Sequence, residues 1–136
     1  MILLDTNVLS EMTKPAPNER VVDWLRQTEP ALAIQTFAIA EMAYGIEKLA
    51  EGRRRERLRA ALERLAERFG DRLLSFDLRA AWAYGDILAT ARKAGRPMSV
   101  PDAVMAAIAK THDCALATRN IKDYQTTGVE LVNPWT

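Results

Sequence analysis

The sequence predicts an α/β layered fold with a mostly parallel sheet, and three observations carry that prediction. The opening run Met1-Ile-Leu-Leu4 is apolar without alternation, as in a strand covered on both faces at the centre of a parallel sheet. Short apolar runs recur along the chain, separated by longer stretches of helical periodicity, the alternation that builds parallel sheets. The first run leads straight into Asp5-Thr6-Asn7, polar groups at the carboxyl end of a strand, where open α/β sheets place their ligands.

The elements follow in order. After Asn7 a short helical turn reaches the Pro-rich break Lys14-Pro-Ala-Pro17. Asn18 is placed to N-cap a helix to about Gln27, with Val21, Val22 and Leu25 as its apolar side and Glu19 in its first turn. Glu29-Pro30 ends it. Ala31 to Gln35 reads as a weaker strand, and Thr36 as the cap of a helix to Leu49 that carries Glu41 well inside it. Gly52 breaks the pattern. A long helix from Arg53 to Arg68 has Leu58, Leu62, Leu65 and Phe69 on one stripe and seven arginines on its other faces. That arginine surface reads as a solvated face, an RNA contact or a docking face, and Arg59 and Glu63 are spaced to pair. Gly70 stops the helix. Leu73 to Phe76 reads as a strand, Asp77 as the N-cap of a helix to about Ala94, and Gly95-Arg-Pro97 as its terminator. Val100-Pro101-Asp102 opens an Ala-rich helix to His112, with Pro101 suited to the first helical position. Cys114 to Ala117 is a fourth apolar strand, with Cys114 read as a small buried strand residue, and Val129 to Val132 a fifth.

The 136 residues are expected to form one domain, 1–136. A formal net charge of +1 excludes binding of nucleic acid by global attraction, so any such contact must rest on a local patch or a metal. The single cysteine excludes an internal disulfide and suits a reducing cytosol, and no apolar stretch is long enough to span a membrane. The N-terminus lacks the pattern of a signal peptide. One histidine, His112, excludes a two-histidine ribonuclease mechanism, and the histidine and cysteine counts exclude ordinary zinc sites.

Carboxylates are plentiful instead. Asp5 follows the first strand, Asp102 sits in the first turn of a helix, Glu41 lies on a largely apolar helix, and Asn120 and Asp123 follow the fourth strand. Each has a plain alternative: Asp5 as a helix cap, Asp102 as a partner of the helix dipole, Asp123 as a solvated loop acid. Gathered in one pocket, however, three carboxylates repel, and a divalent cation resolves that. Oxygen ligands without His or Cys point to Mg²⁺ or Mn²⁺, which suits phosphate chemistry. Asp5 and Asp102 are the candidate ligands, with Glu41 holding the metal or its water and Asp123 reaching it from the late strand. Thr6, Asn7 and Thr118 are candidates to orient the carboxylates, and Arg119 to contact a substrate phosphate. Asn120 and Asp123, three apart, share a face if they share a helical turn.

These residues resemble the PIN-domain ribonucleases, specifically the VapC- and FitB-like toxins of bacterial toxin–antitoxin pairs. The resemblance rests on Leu-Leu-Asp5-Thr-Asn7, Ile39-Ala-Glu41-Met-Ala-Tyr-Gly45, Pro101-Asp102-Ala-Val-Met-Ala-Ala107, Ala117-Thr-Arg-Asn120-Ile-Lys-Asp123-Tyr and the closing Asn133-Pro-Trp135. It implies a three-layer α/β/α domain with a five-stranded parallel sheet. It also implies a cytoplasmic, Mg²⁺- or Mn²⁺-dependent endoribonuclease, usually a homodimer, silenced by a cognate antitoxin and reaching promoter DNA only through that antitoxin. The family acids map onto Asp5, Glu41 and Asp102. Asn120 stands where some relatives carry Asp, and Asp123 matches relatives whose acid lies a few residues later. Gln35 and Ala38 stand where relatives often carry Ser and Thr.

A non-catalytic binding module of the same fold, acting with an antitoxin in autorepression, is the rival reading. A phosphotransferase or phosphatase with Asp5 as nucleophile fits less well. The haloacid-dehalogenase pattern wants Asp at position 7, where Asn7 stands, and a receiver domain wants a Lys where Arg119 stands. The hairpin of the Arg53–Arg68 helix and its predecessor is expected to contact an antitoxin or a second copy.

Overall fold

In the computed structural model, which describes Met1–Thr136, the opening apolar run becomes β1 (Ile2–Leu4) at the centre of a five-stranded sheet. The remaining strands are β2 (Leu32–Gln35), β3 (Leu73–Leu74), β4 (Ala115–Ala117) and β5 (Leu131–Val132). The order is β3-β2-β1-β4-β5, and every pairing is parallel. The chain grows outward from β1 in one direction and then, from β4, in the other. The switch therefore falls between β1 and β4, and a crevice opens at their carboxyl ends.

Six helices cover the sheet: α1 (Thr6–Glu11), α2 (Glu19–Thr28), α3 (Thr36–Glu47), α4 (Arg53–Phe69), α5 (Leu78–Lys93) and α6 (Val100–Thr111). Strand alternation divides the core in two. Leu3, Ala33 and Leu116 point to one face and pack with α5 and α6 through Ile87, Met105 and Ile108. Leu4, Leu32, Ile34 and Ala117 point to the other and pack with Val8, Val21, Ala38 and Phe69 of the first four helices. Both faces are covered, which explains why β1 is apolar without alternation.

The expected caps are largely in place. Asn18 accepts from the N–H groups of Arg20 and Val21, and Asp77 from that of Ala80. Gly70 ends α4 at φ 45°, a conformation that favours glycine. Some details differ from the sequence reading: β3 stops at Leu74, β5 starts only at Leu131, and α3 ends at Glu47. Thr36 is the first residue of α3 and not its cap; Gln35 holds the cap position without a side-chain bond. Ser99, overlooked beside Pro101, caps α6 by accepting from the Asp102 N–H at 3.3 Å. Cys114 is buried but precedes β4, its N–H bonding the Ala109 carbonyl at 2.8 Å as the chain leaves α6. Burial pushes its thiol pKa up.

The loop after α1 is tied down by Glu11. Its carboxylate accepts from the Asn18 N–H at 2.9 Å and pairs with Lys14 at 2.7 Å, and these contacts hold its pKa low. On α4, Arg59 pairs with Glu47 of α3 rather than with Glu63, Arg55 joins it there, and Arg68 pairs with Glu29. Three of the seven arginines therefore fasten α4 to its neighbours, and the hairpin partner wins over the intrahelical one.

Gln35 is a local conflict at the end of β2. It is 1% exposed, faces α6 with its amide nitrogen 3.6 Å from Met105 Sδ, and leaves Oε1 without a partner. A buried unpaired acceptor costs about 1–3 kcal/mol. Gln35→Met, of similar shape, is expected to raise stability by about 1 kcal/mol, read as a shift of the urea midpoint. A loss of stability would show that Oε1 is engaged in solution.

Candidate active site

Asp5 lies where β1 ends, and the β1–β4 pairing ties its backbone to the carboxyl end of β4 through a 2.9 Å bond from its N–H to the Ala117 carbonyl. The plain reading of Asp5 as a cap holds: Oδ1 accepts the Thr6 N–H at 2.7 Å at the start of α1. The same carboxylate does more. Oδ2 accepts the Thr118 hydroxyl at 2.7 Å and the Tyr124 hydroxyl at 3.2 Å, with Asn7 Nδ2 at 3.3 Å. Asp5 is 8% exposed. Burial raises its pKa, the bonds from Thr118, Thr6 and Tyr124 counter that, and the charge of Asp102 raises it further.

Asp102 reaches the same place from α6, half-buried, and its Oδ1 accepts the Tyr124 hydroxyl at 2.9 Å. Its role is thus not confined to the dipole of α6. Asn7 links both strand ends: Nδ2 lies 3.4 Å from Thr118 Oγ1, and Oδ1 accepts the Arg119 N–H at 3.3 Å. Thr118, fully buried, also accepts the Asn120 N–H at 3.0 Å. The Thr6 hydroxyl donates to Glu41 Oε1 at 3.2 Å, so Glu41 is attached to the site through α1.

The remaining candidates spread around this centre. Glu41 is exposed on α3, and no three acids close on a common point. Asn120 and Asp123 do share a turn, the 3-10 segment Ile121–Tyr124 that Asn120 opens, with the Asp123 N–H bonded to the Asn120 carbonyl at 3.0 Å. Both are exposed. Asp123 lines a polar cleft of about 330 Å³ together with Asp102, Ser99, Arg96 and Lys122. Arg119 is turned elsewhere, its guanidinium 5.2 Å above the Trp135 ring.

Two features escaped the sequence reading. Arg96 and Lys122 are the cations of the cleft beside Asp102, and Arg96 is pinned there by the Gln125 side chain and the Lys122 carbonyl. Tyr124, 1% exposed, is the residue that joins the two aspartates. Its only visible signal was a tyrosine directly after Asp123.

The donor set suits a hard cation. Asp5 and Asp102 offer oxygen atoms from two neighbouring carboxylates, and Asp102 Oδ2 makes no hydrogen bond within the chain. Mg²⁺ is commonly held by one or two carboxylates and retains several waters, so a closed cluster of three acids is not required.

Comparison with known proteins places these residues in context. The PIN domain family matches residues 2–127. The plasmid stability protein StbB of Pseudomonas syringae pv. tomato is 40% identical over 137 residues, covering 99% of both chains. VapC ribonuclease Y4jK of Sinorhizobium fredii is 34% identical, covering 99% of this chain and 98% of its own. Toxin FitB of Neisseria gonorrhoeae is 36% identical over 99% of both. A chain in the crystal structure of FitAcB from the same organism superposes with a TM-score of 0.94 at 36% identity, covering 99% of each chain.

Proposed function

The chain belongs to the PIN-domain family, and on that premise we propose that it is a metal-dependent endoribonuclease, the toxin of a cytoplasmic toxin–antitoxin pair. The observation that carries the reading is the pairing of Asp5 and Asp102 at the switch between β1 and β4, with Asp102 Oδ2 free of any bond within the chain and a network of Thr6, Asn7, Thr118 and Tyr124 behind them. The names of the relatives, a VapC ribonuclease and a toxin, support it.

Asp5 and Asp102 would hold Mg²⁺ or Mn²⁺. The cation would supply Lewis acidity, acidifying water and offsetting phosphoryl charge. Glu41, exposed and bonded within the chain only to Thr6, offers a carboxylate to take a proton from the attacking water. Asp123 offers a second on the opposite rim. Arg96 and Lys122 bring positive charge to the cleft beside Asp102, suited to the phosphates flanking the scissile bond. With a net charge of +1, RNA is engaged by this local cleft rather than by the whole surface. The test is cleavage of single-stranded RNA with Mn²⁺ or Mg²⁺, abolished by a chelator; an inert protein in saturating metal would favour the non-catalytic module.

Two surfaces suit protein partners. An apolar groove of about 420 Å³ runs between α1, α3 and α4, floored by Leu9, Met42, Ile46, Leu58 and Leu62. It fits the apolar face of an antitoxin helix, and promoter DNA would then be reached only through that antitoxin. Separately, Phe37 and Tyr44 of α3 and Phe76, Leu78 and Trp82 near the start of α5 are exposed. Exposed apolar groups of this size mark an association surface, which we assign to a second copy. Sedimentation is expected to give about twice the chain mass of 15.2 kDa, and a monomer after Trp82→Glu; a native monomer would reject the dimer.

A further inference from the structure

The Tyr124 ring belongs to the core beneath α6, where a phenylalanine would fill the same space. Its hydroxyl therefore answers to something other than packing. The only side chains it meets are Asp5 and Asp102, at 3.2 and 2.9 Å. Its single proton is shared between the two acceptors, nearer to Asp102, and a donor placed between two carboxylates offsets part of their repulsion. A phenol keeps its proton at neutral pH, so the hydroxyl is a donor there.

The residue is itself held in place. Thr127, 3% exposed, donates its hydroxyl to the Tyr124 carbonyl at 2.6 Å and accepts the Val129 N–H at 3.2 Å. On the outer side, Arg96 ties the same turn through the Lys122 carbonyl at 3.0 Å. The 3-10 turn is thus braced from both sides, and the hydroxyl meets the acids from the buried side. The contacts engage Asp5 Oδ2, which also takes Thr118, and Asp102 Oδ1. They leave Asp102 Oδ2 free, and Asp5 Oδ1 bonded only to the Thr6 N–H.

The geometry points to Tyr124 as a positioning residue that spans Asp5 and Asp102 and presents their outward oxygens together to a divalent cation. This rests on the metal-dependent reading above and adds a residue that is not one of the acids. Removing a hydrogen-bond partner of a metal ligand lowers metal affinity by about 10–100-fold.

The experiment is calorimetric titration of the folded protein with Mn²⁺ alone, comparing wild type with Tyr124→Phe, alongside thermal melts in chelator. The expected result is a Kd for Mn²⁺ weaker by about tenfold or more, with the ring packing retained and RNA cleavage recovered at saturating Mn²⁺. A melting temperature that falls while the Kd stays unchanged would assign the hydroxyl to stability alone and overturn the proposal. Wild type that binds no Mn²⁺ would overturn the metal-dependent reading itself, and this role with it. Should Tyr124→Phe fail to fold, Thr127→Val decides, since it releases the Tyr124 carbonyl but keeps the hydroxyl; unchanged Mn²⁺ affinity there overturns the proposal.

Discussion

Asp5→Asn is expected to reduce RNA cleavage by at least about a hundredfold and to abolish Mn²⁺ binding while leaving the fold intact. The loss follows from removing a proposed direct ligand, where even supporting residues are worth about 10–100-fold. The intact fold follows from the local bonds. Asn caps a helix as well as Asp does, so the Thr6 N–H keeps its acceptor. The Tyr124 hydroxyl can accept from the new amide while it donates to Asp102.

The pH dependence sharpens this test. Burial, and secondarily the charge of Asp102, raise the folded-state pKa of Asp5 above its unfolded value. A carboxyl raised in this way contributes stability that is complete below its unfolded pKa, near about 3.9. That contribution is lost as pH rises through the folded value. At neutral pH without metal, the native carboxylate is therefore a cost that Asp5→Asn removes. The melting temperature of the variant in chelator should match or exceed wild type at pH 7 and lose that advantage toward pH 4. Cleavage retained in Asp5→Asn would sink the site assignment.

Much of the frame could be read from local residues because local chemistry decides it. The unbroken apolarity of Met1–Leu4 reflects cover by helices on both faces, and the caps at Asn18 and Asp77 reflect side chains bonding their own helix starts. What local reading missed depends on contacts between distant residues. The Tyr124 hydroxyl acquires meaning only when α6 brings Asp102 against the end of β1, contacts 22 and 119 residues away in sequence. Arg59 has a suitable partner at Glu63, yet the α3–α4 hairpin offers Glu47 and also recruits Arg55. Glu41 sits among alanines that suggest burial, but it lies on the exposed side of α3, and the helix reaches the site through Thr6. At Arg59 sequence spacing supplied a partner and packing chose another; at Tyr124 and Glu41 packing alone sets the contact.

Leu58→Asp is expected to release the protein from the proposed antitoxin while leaving its proposed cleavage of RNA unchanged. Leu58 is half-buried on α4 and lines the apolar groove, remote in the chain from Asp5, Asp102 and Tyr124. An aspartate there would place an unpaired charge against the apolar face of a docked helix, and the desolvation of that charge has no compensating partner. Interface anchors contribute about 2 kcal/mol or more, roughly a thirtyfold loss of affinity. The half-exposed position spares the fold the larger penalty that a charge at fully buried Leu4 or Leu116 would impose. Co-expression with the proposed antitoxin provides the measurement: wild type should co-purify and permit growth, whereas Leu58→Asp should separate and arrest it. Adding Asp5→Asn to the same chain should restore growth without restoring the complex, which separates the groove from the acidic site. If Leu58→Asp still co-purifies and remains silent, the antitoxin docks elsewhere, and the groove between α1, α3 and α4 loses its assigned partner.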